Sequence, residues 1–312
     1  MASPLQVIET KHVDTIHDAQ LDYYSRRLAT CSSDRTIKIY EVTDNQNNHV
    51  ADLAGHDGPV WQVAWAHPRY GTLLLSCGYD KKVIVHQEQG ANQWAQLYMY
   101  SDHASSVNSI AWAPHEYGLR FACASSDGTV SVHSCSQSGE WATPQIIQGS
   151  GMGCNSVSWA PVTALGSQAA DGSYIMRLVI GSCDNTARVC KFEAGVWAVE
   201  FDLKQHKDWV RDVAWAPGAT VPMNTIATCS EDKCVYIWTQ DEVGGAWKPT
   251  LLNAFDCAVW RVSWSVMGNI LAVSTGDHKV TLWKETVDKK WIQLSSVGSG
   301  TNGGAAANAA QS

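Results

Sequence analysis

The sequence predicts an all-β fold, a β-propeller of six consecutive blades, and three observations carry that prediction. An Asp in one recurring turn context, at Asp34, Asp80, Asp127, Asp184, Asp232 and Asp277, marks steps of 46, 47, 57, 48 and 45 residues. Two Trp series keep the same period: Trp65, Trp112, Trp159, Trp215 and Trp264 close one set of segments, and Trp94, Trp141, Trp197, Trp247 and Trp291 open another. Between these marks apolar residues alternate with polar or small ones, and helical spacing is nowhere sustained. A repeat in the mid-forties matches four strands per propeller blade. A β-sandwich also alternates, but it requires no such period.

The units follow in order. Unit one offers strands near Thr15 to Leu21, Leu28 to Cys31, Thr36 to Glu41 and His49 to Leu53. In units two and three VWQVAW and VNSIAW end at Trp65 and Trp112, LLSCGYD and FACASSD run into the turn Asp, VIVH and TVSVH leave it, and the fourth strands open at Trp94 and Trp141. Unit four repeats the order with CNSVSW, LVIGSCD, TARVC and VWAVEFDL; a Gly-, Ser- and Ala-rich stretch between Pro161 and Arg177 accounts for its long step as an inserted surface loop. Unit five, the clearest copy, has VRDVAW, IATCSED, VYIW and a strand from Trp247. Unit six supplies Val259 to Trp264, Ile270 to Ser274, Val280 to Trp283 and Trp291 to Leu294. Six complete blades thus lie end to end, whereas many propellers build one blade from both chain ends. The segment Leu5 to Thr10 is left over, either an extra strand or a frayed extension. One propeller is expected over residues 1–297, and residues 298–312, poor in bulky apolar side chains, are expected to be disordered.

Composition narrows the function. With 45% apolar residues, a chain of 312 can bury a substantial core. Lys plus Arg (22) against Asp plus Glu (30) leaves a net charge of −8, a field that disfavours direct binding of nucleic acid or anionic membrane. The chain opens on no apolar signal run and contains no bilayer-length apolar segment, which predicts a cytosolic or nuclear protein. Its ten Cys include no CxxC pair; Cys31, Cys77 and Cys229 each precede a turn Asp by three residues and read as packed core thiols. No metal or cofactor site emerges, and GSGMG at 149–153 is followed by neither Lys-Ser/Thr nor a helix, unlike a phosphate loop.

Unit five carries a polar set, His206, Thr228, Asp232 and Trp238, that suits a buried brace: the carboxylate accepts from the imidazole, the hydroxyl relays to it and the indole donates. Hydroxyl, His and Asp are also the parts of a hydrolase triad. The set recurs in reduced form, as His56, Ser76 and Asp80 with His86 in the Trp place, as His103 and Asp127 with Cys123 and His133, and as Asp184 alone. An active site needs one complete constellation in one cleft, so decaying repetition speaks for architecture. No catalytic residue and no small-molecule substrate are assigned.

These positions resemble the structural tetrad of WD40 repeats over about Thr10 to Val297, although the WD dipeptide is absent: Thr239 follows Trp238, Lys284 follows Trp283, and Tyr40, His86, His133 and Cys190 stand in the Trp place elsewhere. Longer stretches, HVDTIHDAQLDYYSRRLATCSSDRTIKIYEV, LAGHDGPVWQVAWAHPRYGTLLLSCGYDKKVIVH, HKDWVRDVAWAP and GDHKVTLWKE, resemble the Sec-thirteen family. That resemblance implies a propeller left open and completed in trans by a seventh blade from a partner. It implies a non-catalytic scaffold of the COPII outer cage, beside a Sec-thirty-one-like coat subunit in endoplasmic reticulum to Golgi transport. It also implies a place in the nuclear pore Y-complex, beside a nucleoporin, and a link to TOR signalling. Membrane association would be indirect, through the coat, on the cytosolic side of endoplasmic reticulum exit sites. The alternatives are a nuclear-pore sister propeller of the Seh-one kind and a WD40 adaptor reading a peptide on its top face, for which the loops offer few Arg.

Blades one and six, with no shared closing blade, should expose facing apolar surfaces, and added strands would supply backbone hydrogen bonds and burial together. The partner blade is expected beside Val13, Thr15 and Ile39 on one side and Trp260, Val262 and Leu282 on the other, with Leu5, Val7 and Ile8 in an added strand.

Overall fold

Alternating side chains and tight turns produce six antiparallel four-stranded sheets, each a meander of strands consecutive in sequence. The computed structural model describes residues 8–43, 47–169, 171–218 and 223–298. Blade one comprises β1 (Ile16–Leu21), β2 (Arg27–Ser32), β3 (Ile37–Val42) and β4 (Asn47–Leu53). Blade two holds β5 (Val60–Trp65), β6 (Leu73–Gly78), β7 (Val83–Gly90) and β8 (Gln93–Tyr100), and blade three β9 (Val107–Trp112), β10 (Arg120–Ser125), β11 (Thr129–Ser134) and β12 (Gln145–Gln148). Blade four has β13 (Cys154–Trp159), β14 (Arg177–Ser182), β15 (Thr186–Glu193) and β16 (Val196–Lys204); blade five has β17 (Val210–Trp215), β18 (Asn224–Ser230), β19 (Cys234–Gln240) and β20 (Lys248–Ala254). Blade six closes the chain with β21 (Val259–Trp264), β22 (Ile270–Thr275), β23 (Lys279–Glu285) and β24 (Trp291–Gly298).

The repeated Asp shapes the hairpin between the second and third strands. In all six blades the next residue, Arg35, Lys81, Gly128, Asn185, Lys233 or His278, has positive φ between 62° and 90°. Such a conformation costs an L side chain energy, so a local hydrogen bond must hold it. In the first five blades the carboxylate does so by accepting the amide two residues on, as Thr36 N–H donates to Asp34 (2.9 Å), Thr129 N–H to Asp127 (2.9 Å) and Cys234 N–H to Asp232 (2.9 Å), whereas Asp277 of blade six takes the Thr275 hydroxyl and the Lys279 ammonium.

Between the blades lie five apolar cores. Ala29, Ile37 and Ile39 of blade one meet Val60, Val63 and Leu74 of blade two. Comparable clusters join blades two and three, three and four, four and five, and five and six, the last built from Cys229, Val235, Val259, Val262 and Leu271. Cys31, Cys77 and Cys229 are fully buried in these cores, and burial pushes their thiols well above the usual range. Among the described residues no such core joins blade six to blade one, and β21 does not pack on β1 as each earlier inner strand packs on the next.

Two local features differ from the sequence expectation. The fourth strand of blade three starts at Gln145 instead of Trp141; Trp141 makes only an isolated bridge to Cys135, and its ring stacks on Tyr98 at 4.4 Å. Pro144, which has no N–H, sits directly before the strand. The inserted stretch between Pro161 and Arg177 is irregular, but it is more than a surface loop. Ala164, Ser167 and Met176 are buried, and Leu165 O accepts from both Arg177 and Asn224, which ties blade four to blade five. Residues 1–7, with Leu5 and Val7, and residues 299–312 of the tail lie outside the described residues.

Candidate functional site

The polar set of blade five comes together. His206 Nδ1 lies 2.9 Å from Asp232 and Nε2 lies 2.8 Å from Thr228 Oγ1, which also accepts from Trp238 Nε1 at 3.0 Å. A carboxylate only accepts, so Nδ1–H donates to Asp232, and in that tautomer Nε2 accepts a hydrogen bond from the Thr228 hydroxyl. Thr228 is fully buried with its oxygen engaged twice, so it presents no nucleophile to solvent. The brace links the loop before the inner strand to the next hairpin.

Blade two repeats the brace through His56, Asp80 (3.0 Å) and Ser76 (2.9 Å), while His86 donates elsewhere, to Ala54 O at 3.2 Å. In blade three His103 binds Asp127 at 2.8 Å, but its hydroxyl partner is Ser131 on the third strand, not a residue at Cys123, and His133 reaches the same hydroxyl at 2.9 Å. Blade one has a His–Thr–Asp brace that sequence reasoning missed: His12 binds Asp34 at 2.7 Å and Thr30 at 2.9 Å. The available signal was spacing, since His precedes the Asp by 22, 24, 24 and 26 residues in blades one, two, three and five. Asp184 instead pairs with Arg188 and Asp277 with Thr275 and Lys279, so neither holds a His.

The inner strands carry a second set of contacts that runs round the central channel. At the third position of each inner strand stand Asp18, Gln62, Ser109, Ser156, Asp212 and Arg261. The first five accept an amide of the next blade: Val63 N–H donates to Asp18 (3.3 Å), Ile110 N–H to Gln62 (2.8 Å), Val157 N–H to Ser109 (3.4 Å), Val213 N–H to Ser156 (3.2 Å) and Val262 N–H to Asp212 (3.0 Å). Arg261 has only donors and cannot continue the series. A parallel series uses indoles. Trp65, Trp112, Trp159 and Trp264 each donate to a carbonyl of the preceding blade at 2.9–3.0 Å, but Leu21 takes the Trp place in blade one. Trp215 of blade five instead gives its backbone N–H to Ser158 Oγ (3.0 Å), and among the described residues only the amide series runs unbroken from blade one to blade six, stopping between blades six and one.

The surfaces flanking that seam are apolar. On blade six, Val280, Leu282, Ile292 and Val297 point away from the Trp283 side that packs on blade five, and Val280 and Val297 are 39% and 43% exposed. On blade one, Ile16, Ala19 and Leu21 occupy the places that face the preceding blade elsewhere, and Leu21 is 51% exposed. Of the described residues expected at the seam, only Leu282 lies on such a surface. Ile39 is fully buried against blade two, and Val262 is buried against blade five, because each has the opposite strand parity. Val13 and Thr15 are exposed on the loop before β1, and Ile8 to Thr10 form no strand; Thr10 O instead accepts from Tyr40 Oη.

Trp260 sits at the channel mouth, where the Arg211 guanidinium lies 4.8 Å from its ring and 5.1 Å from that of Trp209. The same guanidinium is paired with Glu231, so this Arg is already engaged. Among the described residues no group of His, Cys, Asp and Glu could hold a metal, and no helix is long and apolar enough to cross a membrane.

Residues 3–41, 47–87, 94–134, 197–239 and 249–284 match the WD40 family, described as "WD domain, G-beta repeat". The longest unmatched stretch, between residues 134 and 197, includes most of blade four, one of the two blades whose Asp pairs with other groups than His. The chain is 58% identical to "Protein transport protein SEC13 homolog A" of Arabidopsis thaliana over 94% of its length and 99% of that protein's. It is 56% identical to "Protein SEC13 homolog" of Dictyostelium discoideum (94% and 98% covered) and 49% to "Protein SEC13 homolog" of Homo sapiens (96% and 95%). With its WD repeats matched and about half or more of its residues shared with these proteins over almost their whole length, the chain belongs to the SEC13 family of WD40-repeat proteins.

Proposed function

We propose that this protein is a non-catalytic scaffold subunit of a protein-transport coat, and that it works by taking a strand-forming segment of a larger partner into the seam between blades one and six. The observation that carries this reading is the seam itself: a series of amide hydrogen bonds and five apolar cores join successive blades, and none joins the last to the first among the described residues. The naming of a relative as a protein transport protein supports the coat role. The partner is a Sec-thirty-one-like subunit of the COPII outer cage at endoplasmic reticulum exit sites, and a Y-complex nucleoporin with an equivalent segment would use the same seam. An inserted blade would bury the exposed Val, Ile and Leu side chains, at about 25 cal/mol per Å² of apolar surface, and would stiffen the partner where it enters and leaves the propeller.

The test is assembly of the purified protein with such a coat subunit. Lys in place of both Val280 and Val297 is expected to weaken the complex at least about tenfold without changing the melting of the free propeller. Trp260→Ala at the channel mouth is expected to leave it intact. The opposite pattern would favour a peptide reader at the channel, for which the ring of Trp61, Trp209 and Trp260 is the supporting feature.

A further inference from the structure

Arg261 breaks a pattern that the other five inner strands obey. Each of those strands offers an acceptor to the amide of the next blade, and closing six blades on themselves would instead press the Arg261 guanidinium against the Ala19 amide, donor against donor. Ala19 N–H donates to the carboxylate of its neighbour Asp18. Arg261 borders a cavity of about 770 Å³ that reaches from the channel to the seam and is lined also by Ile16, Asp18, Ala19, Ser274 and Val280. Its charge is felt by Asp18 and Asp212, yet among the described residues it makes no direct ion pair. The oxygens of those two carboxylates serve other donors: Val63 and Gln20 on Asp18, and Ser156, Val213 and Val262 on Asp212. The guanidinium thus stands partly buried at the channel wall with no direct protein acceptor among the described residues, and a carboxylate brought into the seam would supply the charge-assisted hydrogen bonds it lacks.

We propose that the strand filling the seam presents a carboxylate at the inner-strand position facing Arg261, and that this pair selects the partner and its register. The proposal rests on the docking reading above. Asp212 already shows what one such group can do: it accepts the Ser156 hydroxyl, the amide of its own neighbour Val213 and the Val262 amide of the next blade. An Asp at the matching position of an incoming strand would take the Arg261 guanidinium, the amide that follows it and the Ala19 amide. A one-residue slip turns that side chain to the other face of its strand and loses all three, which is how the pair would set register.

The experiment is binding of a strand-donating coat subunit whose innermost seam strand has each Asp and Glu changed in turn to its amide. One position is expected to lower affinity by about thirty-fold or more, Arg261→Met by a similar factor, and the two together by little more than either alone. Exchange of charge, Arg261→Asp with Arg at the partner position, is expected to restore most of the loss. Affinity that is flat across the carboxylate series, or unchanged in Arg261→Met, overturns the pairing while leaving seam docking in place. If the unmodified proteins do not associate through the seam, the docking reading itself fails and the pairing with it. The partner-side series uses the unmodified propeller, so misfolding of an Arg261 variant would not obscure the result.

Discussion

Asp232 holds the His206 imidazole and the amides of Lys207 and Cys234. Burial alone would raise its pKa, but these donors outweigh burial and bring it to about 2; the hydrogen bonds from Thr129 and His103 bring Asp127 to about 2 in the same way. Both values lie below the ordinary 3.8, so the stability they contribute is present above that pH and is lost as pH falls toward about 2. Asp232→Ala strands a buried imidazole and is expected to cost about 2–3 kcal/mol in urea denaturation, and Asp277→Ala, whose carboxylate meets Thr275 and Lys279 near the surface, distinctly less. His133 and His86 act at higher pH. Burial lowers them from 6.5 to about 3 and about 4, so below 6.5 the unfolded chain takes up protons that the folded chain refuses. Stability therefore falls with pH through that window, by about 1.4 kcal/mol per unit for each His. His133→Gln, which keeps partners for Tyr98 and Ser131, is expected to flatten the dependence; denaturation midpoints at about pH 7 and about pH 5 with an unchanged difference would assign the slope to other groups. At this scale the turn Asp and the blade-five brace were legible. His12, Thr30 and Ser131 were not, because a brace hydroxyl can come from either of two adjacent strands.

At the scale of elements, the hairpin after each Asp depends on one left-handed residue. In blade three that residue is Gly128, with φ of 90°, and a Cβ there would meet Ser150 O at 2.1 Å. Gly128→Ala is expected to destabilise the protein by about 1–3 kcal/mol, whereas Lys233→Gly at the corresponding place in blade five should be tolerated, as a shift in melting temperature would show. The indole series gives a second measure. Trp112→Phe keeps the ring in its core but removes the donor to Ala64 O, and a loss of about 1 kcal/mol in denaturant unfolding is expected. Strand existence was legible from alternation, and the Trp series already began at Trp65 with no counterpart in unit one. Which face of a strand meets which neighbour was not. Ile39 and Val262 were assigned to the seam although each sits one residue out of parity with it, since alternation separates two faces without saying which of two apolar faces is exposed.

Among the described residues, each of the inner four blades is held by an apolar core on both sides and each end blade on one. In the free protein, amides of β1 and β24 are therefore expected to exchange hydrogen faster than those of β9 to β15, and to gain protection when a strand-donating partner binds. Equal protection at the ends and the middle in the free protein would mean that the seam is already closed. Protection gained only at the channel mouth would point to Trp260 and Arg211 as the docking surface.

The sequence by itself determined the blade count, the hairpin chemistry and the inert thiols, because each follows from local periodicity and short-range hydrogen bonding. It also contained Arg261, but nothing local marks a donor where the other inner strands offer acceptors. Only the tertiary structure, by placing the third residue of every inner strand on one ring, decided which contacts pass from blade to blade and where they stop. Inter-blade contacts join residues about one repeat apart in sequence, and their meaning depends on rotation about an axis that a linear pattern does not contain.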